Sequence, residues 1–247
     1  MKLTSKSLIA AAALLAGAAT MAQTKAPEPD YTLAYNIGAT TDYRYRGISQ
    51  TRLKPTVQGG VDFSHKSGLY LGAWGSGIKW IKDGGGDANI ELDLYGGYKG
   101  TAGAVGYDLG VLTYQYPSNK LNPSANTTEL YVAGTMGPAT LKYSHSVSNL
   151  FGFANSKNSG YLDLSASFDL GNGWSVAPHV GRQRVANNSI FSYTDYSLAV
   201  NKDIDGLILS ASLVGTNAEE AAYTTSAAAG TKFLGKNGLL LSVKKNF

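Results

Sequence analysis

Apolar side chains recur at every second residue through one short segment after another, and this period of two constrains the fold more than any motif in the chain. The last ten residues, GLLLSVKKNF, show it in miniature. Leu239, Leu241 and Val243 share one face, with Lys245 breaking the row and Phe247 ending it, while Leu240, Ser242, Lys244 and Asn246 share the other. An amphipathic helix repeats near 3.6 residues, so this segment is a strand. From Tyr31 the odd positions Tyr31, Leu33, Tyr35, Ile37, Ala39, Thr41, Tyr43 and Tyr45 oppose a polar row running from Thr32 to Arg46. Further rows begin at Val57, Ile90, Val105, Leu162, Tyr196 and Leu207, each against a face of carboxylates, hydroxyls or amides.

Alternation fits a barrel and a sandwich equally well, because both leave one face of each strand polar. The connections separate them. Short links at 65–68, 100–103, 137–138, 171–173 and 203–206 carry Gly, Asn, Asp or Pro turn chemistry, and they alternate with longer ones at 47–55, 80–87, 117–125, 149–157, 185–192 and 217–237. Five short turns between six long loops make twelve strands with both termini on the short-turn side. That is the asymmetry of an all-β, transmembrane, antiparallel up-and-down barrel with tight periplasmic turns and longer outer loops. A Greek-key sandwich is not expected to alternate so regularly. Ten or fourteen strands stay open at three places. The segment from Leu69 to Ile78 has Tyr70 and Trp74 opposite Leu69, Leu71 and Ala73; Pro178 suggests a bulge; and 217–237 has room for a further hairpin.

Residues 1–22 read as a secretory signal: Lys2 and Lys6, a run of Leu, Ile and Ala from Leu8 to Ala19, and small residues at Thr20 and Ala22. Residues 23–30 form a polar, Pro-rich leader and 31–247 the barrel. The mean hydropathy of −0.12 resembles that of a soluble protein, but a barrel averages its two faces towards zero. Thirty Gly and sixteen Tyr suit tight turns and interfacial aromatics. With no Cys, stability must come from a large core or a closed hydrogen-bond network. The formal charge of +4 includes Lys2 and Lys6 of the signal. The other basic residues form no run, so nucleic acid is not an expected partner.

The polar rows supply the candidate site. Asp42, Arg44 and Arg46 share the inward face at the outer end of strand one; Asp62, Glu91, Asp93, Asp108, Glu129, Asp163 and Asp195 face inward from other strands, with Lys142 and Lys244. Opposed charges across a narrow lumen orient permeating solutes, or else they pair and fill it. Carboxylates are in excess, which implies a weak cation preference. The outward girdles would hold Tyr31 and Tyr35 at one interface and Tyr43 and Tyr45 at the other, joined by Tyr98, Tyr107 and Tyr196. The first strand would then run for about fifteen residues and project past the roughly 9–11 that cross a bilayer. The block Gly47–Pro55, GISQTRLKP, is expected to be a solvated outer loop; the alternatives are an inward constriction or a site for lipopolysaccharide phosphates.

Other chemistry finds little footing. In YSHSVSN, Ser146 and Ser148 lie on the face opposite His145 and Val147 stands where a nucleophile would have to be, so no serine hydroxyl shares a face with that imidazole. His65 and His179 look isolated, and no catalytic residue is assigned. Glu91 and Asp93 have no His or Cys beside them, and DGGGD at 83–87 lacks calcium-loop spacing. No metal and no cofactor are expected.

The run YNIGATTDYRYRGISQTRLKPTVQGGVDFSHKSGLYLGAWGSGIKW at 35–80, with ELDLYGGY at 91–98, resembles the TorF family of porins. The terminal strand ending at Phe247 is similar to those of bacterial outer-membrane barrels. The resemblance implies a channel for small hydrophilic solutes in contact with lipid and lipopolysaccharide. It also implies closure of the first strand on the last, and recognition of that last strand by barrel-assembly machinery. The competing functions are a plugged structural or adhesive barrel acting through its surface loops, and a secreted β-sandwich binding module.

Overall fold

Strand after strand, the sheet is built from those two-faced rows: β1 (Tyr31–Thr40), β2 (Thr56–His65), β3 (Leu69–Gly77), β4 (Ile90–Ala102), β5 (Val105–Gln115), β6 (Thr127–Met136), β7 (Ala139–Ser146), β8 (Gly160–Ala166, continuing as Phe168–Gly171), β9 (Trp174–Arg184), β10 (Tyr193–Ile204), β11 (Leu207–Thr216) and β12 (Gly238–Asn246). The computed structural model describes residues 29–225 and 230–247. The expected signal and most of the leader lie outside them.

Each strand pairs antiparallel with its neighbour in sequence, and β12 pairs with β1 from Asn36↔Asn246 to Thr40↔Ser242. The Phe247 amide extends the seam by donating to the Tyr35 carbonyl at 2.9 Å. The result is a closed twelve-stranded antiparallel barrel with no open edge, the sheet topology that satisfies every ladder in lipid. The turns and long loops fall where the connection lengths put them. Leu33, Val57, Leu109, Leu164, Leu198 and Leu241 are exposed around the circumference. Such a continuous apolar belt is the surface of a membrane-spanning barrel.

Trp74 and Tyr70 of β3 face inward: Trp74 packs edge-on against Tyr43, and the Tyr70 hydroxyl donates to Asp108. β9 runs in unbroken register through Pro178 against β10. The expected bulge is instead a lapse in the ladder between β8 and β9 near Ser167, opposite a proline that has no N–H to give. In 217–237 the described residues form a short 3₁₀ turn, Glu220–Ala222, and one isolated bridge, Thr224↔Phe233, but no further barrel strand.

The first strand departs most from expectation. It ends at Thr40, and Tyr43 and Tyr45 belong to no girdle: the chain turns into the lumen, leaving Tyr43 only 9% exposed. A second correction follows, since Ile48, Ser49, Gln50 and Thr51 of the supposedly solvated block are buried as well. Local chemistry drives the turn. Arg46 and Gly47 have φ of 46° and 79° and form the two-residue tip of a hairpin pairing Arg44–Tyr45 with Ile48–Ser49, the backbone a primed turn requires. The Asp42 carboxylate gathers its base, accepting from Ser49 Oγ at 2.5 Å, Thr51 Oγ1 at 2.9 Å and Arg44 Nε at 2.5 Å.

Candidate functional site

The inward hairpin crosses the lumen and is held by three sectors of the wall. From its base, the Tyr43 hydroxyl donates to Glu91 on β4 at 2.5 Å. From its tip, Arg46 donates to Glu129 on β6 and to Gln183 on β9, both at 2.6 Å. Gly47 abuts β10 and β11 so closely that a Cβ there would lie 2.7 Å from Asp195 Cβ and 2.5 Å from Thr216 Cγ2. Loops add backbone anchors: the Ser49 amide donates to the Leu234 carbonyl at 3.0 Å, and the Lys79 amide to the Gln50 carbonyl at 2.7 Å.

Arg46 is the centre of this bridge. Its guanidinium sits 4.8 Å from the Tyr45 ring centroid and 4.2 Å from that of Tyr161, a sandwich that orients the planar fork towards Glu129. The Tyr45 and Tyr114 hydroxyls meet at 2.5 Å beside it. Burial pushes the Tyr43 and Tyr45 phenols up, so both stay neutral at physiological pH.

The hairpin divides the interior. On the side of the short turns lies a cavity of about 420 Å³ lined by Arg44, Arg46, Lys142, Asp163, His179 and Asp195 among others. On the side of the long loops lies a chamber of about 340 Å³ whose walls are mainly apolar, with aromatic rings prominent among them. Tyr45 borders both.

The predicted lumen residues fall into three groups. Asp42, Arg44, Arg46, Glu91 and Glu129 belong to the bridge, and Asp93 is buried beside them, with Oδ1 lacking a hydrogen-bond partner. Asp163 and Asp195 converge on His179: Nε2 is 2.5 Å from Asp163 and Nδ1 3.7 Å from Asp195, while Tyr161 donates to Asp195 at 2.9 Å. His179 is therefore not isolated, and the strict inward alternation of β8 and β9 was the signal that could have joined it to Asp163. Deeper towards the short turns, Asp62 accepts from Tyr95 and Asp108 from Tyr70, each at 2.5 Å. Lys142 lies with its amine 4.0 Å from the Tyr131 ring centroid, and Lys244 faces inward near the short-turn opening. On the outer surface, Tyr31, Tyr35, Tyr98 and Tyr107 lie towards the short turns and Tyr196 towards the long loops.

The tyrosines that donate to these carboxylates escaped sequence reasoning, because their partners sit two strands away. Several lean over inward glycines. A Cβ at Gly97, Gly110 or Gly181 would collide with the ring above it, that of Tyr70, Tyr131 or Tyr161. Among the other candidates, Ser146 donates to the Ser148 carbonyl at 2.9 Å and His145 lies 3.2 Å from Asn158. The Asp83 carboxylate pairs with Arg52.

A family model described as a bacterial protein of unknown function matches residues 24–247. No curated protein matches the chain. Among solved structures, the NanC porin in its rhombohedral crystal form superimposes with a TM-score of 0.52 at 8% identity, over 87% of this chain and 99% of that one. A structure from work on in-meso crystallization of membrane proteins also gives 0.52 at 8% identity, over 87% of this chain and 83% of that one. At such identity the likeness is one of fold.

Proposed function

The chain belongs to the Gcw_chp family of bacterial proteins of unknown function, and we propose that it is an outer-membrane porin through which small hydrophilic solutes diffuse past a constriction formed by residues 41–55. The observation that carries this reading is the inward hairpin, tied to Glu91, Glu129 and Gln183 between two cavities. A loop used only at the surface has no reason to place Asp42, Arg44 and Arg46 inside the barrel, at the desolvation cost that burying charge brings. The resemblance of 35–80 to TorF porins points the same way. The apolar belt would contact outer-membrane lipid and the loop rim lipopolysaccharide, with β12 presented to barrel-assembly machinery during insertion.

The carboxylate excess behind the expected cation preference is largely withdrawn from the solute path, since Asp42, Glu91 and Glu129 are buried behind donors from the hairpin. What faces the inner cavity is nearly balanced: Arg44 and Arg46 are paired with Asp42 and Glu129, which leaves Lys142 and His179 against Asp163 and Asp195. Discrimination would then come from width and from a transverse field, with little net preference for either sign. Reversal potentials across a salt gradient in planar bilayers test this; strong selectivity for either ion would overturn it.

One observation favours a second reading, a plugged barrel acting through its loops. The close seat of Gly47 on Asp195 and Thr216 leaves the two cavities on opposite sides of the bridge. Liposome swelling with sugars and amino acids of graded size decides between them: size-dependent swelling supports the channel, and background rates for every solute support the plug.

A further inference from the structure

We infer that the outer chamber is a binding site for small uncharged aromatic molecules that carry a hydroxyl or carbonyl oxygen, of the phenol or aryl ketone type. Each of the six long loops contributes a ring to it: Tyr45, Trp80, Tyr116, Phe151, Phe191 and Tyr223. The rings brace one another edge to face, Trp80 on Tyr116 at 5.2 Å and 85°, Phe191 on Tyr223 at 5.8 Å and 86°, and Tyr45 on Phe151 at 5.4 Å and 78°. Such mutual packing would stabilise the loops without any ligand. It does not account for the space left over, because rings gathered only to make a core close up to crystal-like density. A chamber of about 340 Å³ remains between them, within the roughly 300–1,000 Å³ of small-molecule sites.

The lining sets the chemistry of the occupant. Among the described residues no lysine or arginine borders the chamber, and the one acid, Asp83, is paired with Arg52, so an anion finds no counter-charge. Two lining residues, Trp80 and Thr224, hold a polar atom, Nε1 and Oγ1, with no hydrogen-bond partner among the described residues, each shut off from solvent as its side chain stands. The indole N–H can only donate, so an occupant towards which Trp80 turned would have to offer an acceptor oxygen, which an ammonium ion does not have. A ring bearing a single hydroxyl or carbonyl meets both conditions, and it would displace water that apolar walls bind poorly.

The test is calorimetric titration of the purified, detergent-folded protein with phenol and acetophenone, and with benzoate and tetramethylammonium for comparison. Saturable binding of phenol or acetophenone is expected, without binding of the two ions. Ala222→Trp places a ring in the chamber from a lining residue and is expected to weaken binding about tenfold or more; if it does not fold, Phe191→Leu carries the same expectation. No saturable binding, equal affinity in the folded variant, or tighter binding of either ion would overturn the assignment. Because the titration needs no transport, a barrel that fails to conduct leaves this result standing, and the two readings fail separately.

Discussion

Arg46 and Glu129 meet at 2.6 Å across the lumen, with side chains only 6% and 1% exposed, and this pair fastens the tip of a loop that leaves the wall after β1 to a strand on another sector of the barrel. Its partners arrive from segments 83 residues apart. Breaking one side of so buried a pair leaves the other charge stranded. The loop is therefore expected to loosen when either residue is neutralised.

Arg46→Ala is expected to raise single-channel conductance at least about twofold by opening the constriction, and Glu129→Gln to do so less, since it keeps its size and one acceptor. Planar-bilayer recordings of both variants check this. Unchanged conductance in Arg46→Ala would mean the hairpin does not set the width of the path.

Gly47→Ala tests the seat of the hairpin by a different route. The backbone there has φ of 79° and the new methyl would collide with Asp195 and Thr216, so the tip must withdraw. Trypsin added from outside to proteoliposomes is expected to spare Arg44 and Arg46 in the parent protein and to cut there in the variant. Equal resistance of the two proteins would contradict the packing described.

The two faces of β10 predict opposite tolerances. Leu198→Arg puts a charge in the lipid belt and is expected to cost about 2–4 kcal/mol near the bilayer midplane. Ser197→Arg, one residue away and facing the inner cavity, is expected to cost far less while lowering conductance. Urea titration of folding into phospholipid vesicles measures both, and similar losses would refute the assigned facing.

Closure of the cylinder can be trapped covalently, because the parent chain has no cysteine. Thr40 and Ser242 are paired across the seam between β1 and β12. The double variant Thr40→Cys, Ser242→Cys is expected to form a disulfide on mild oxidation, giving a cyclised chain whose altered gel mobility survives boiling and disappears on reduction. A register slip of one residue would turn one thiol outward and abolish the cross-link.

The barrel itself was legible in the linear chain. A period of two assigns each side chain to lipid or lumen without reference to any distant residue, and turn chemistry such as Asp203–Gly206 marks where a strand must reverse. Even the seam followed, since a strand such as Gly238–Asn246 needs a partner for its ladder in lipid and the first strand is the one left unpaired. The interior was not legible in the same way. The alternation of Tyr31–Tyr45 continues past Thr40, so periodicity alone could not reveal that Tyr43 and Tyr45 leave the wall. That turn depends on the Asp42 carboxylate meeting Ser49 and Thr51, a local contact to which periodicity is blind, and on Arg46 meeting Glu129, a contact that exists only once the cylinder has closed. Local pattern settles which face a residue takes, because facing is a property of one strand. Which inward residues touch is a property of the closed circumference, and the tertiary structure alone decided it.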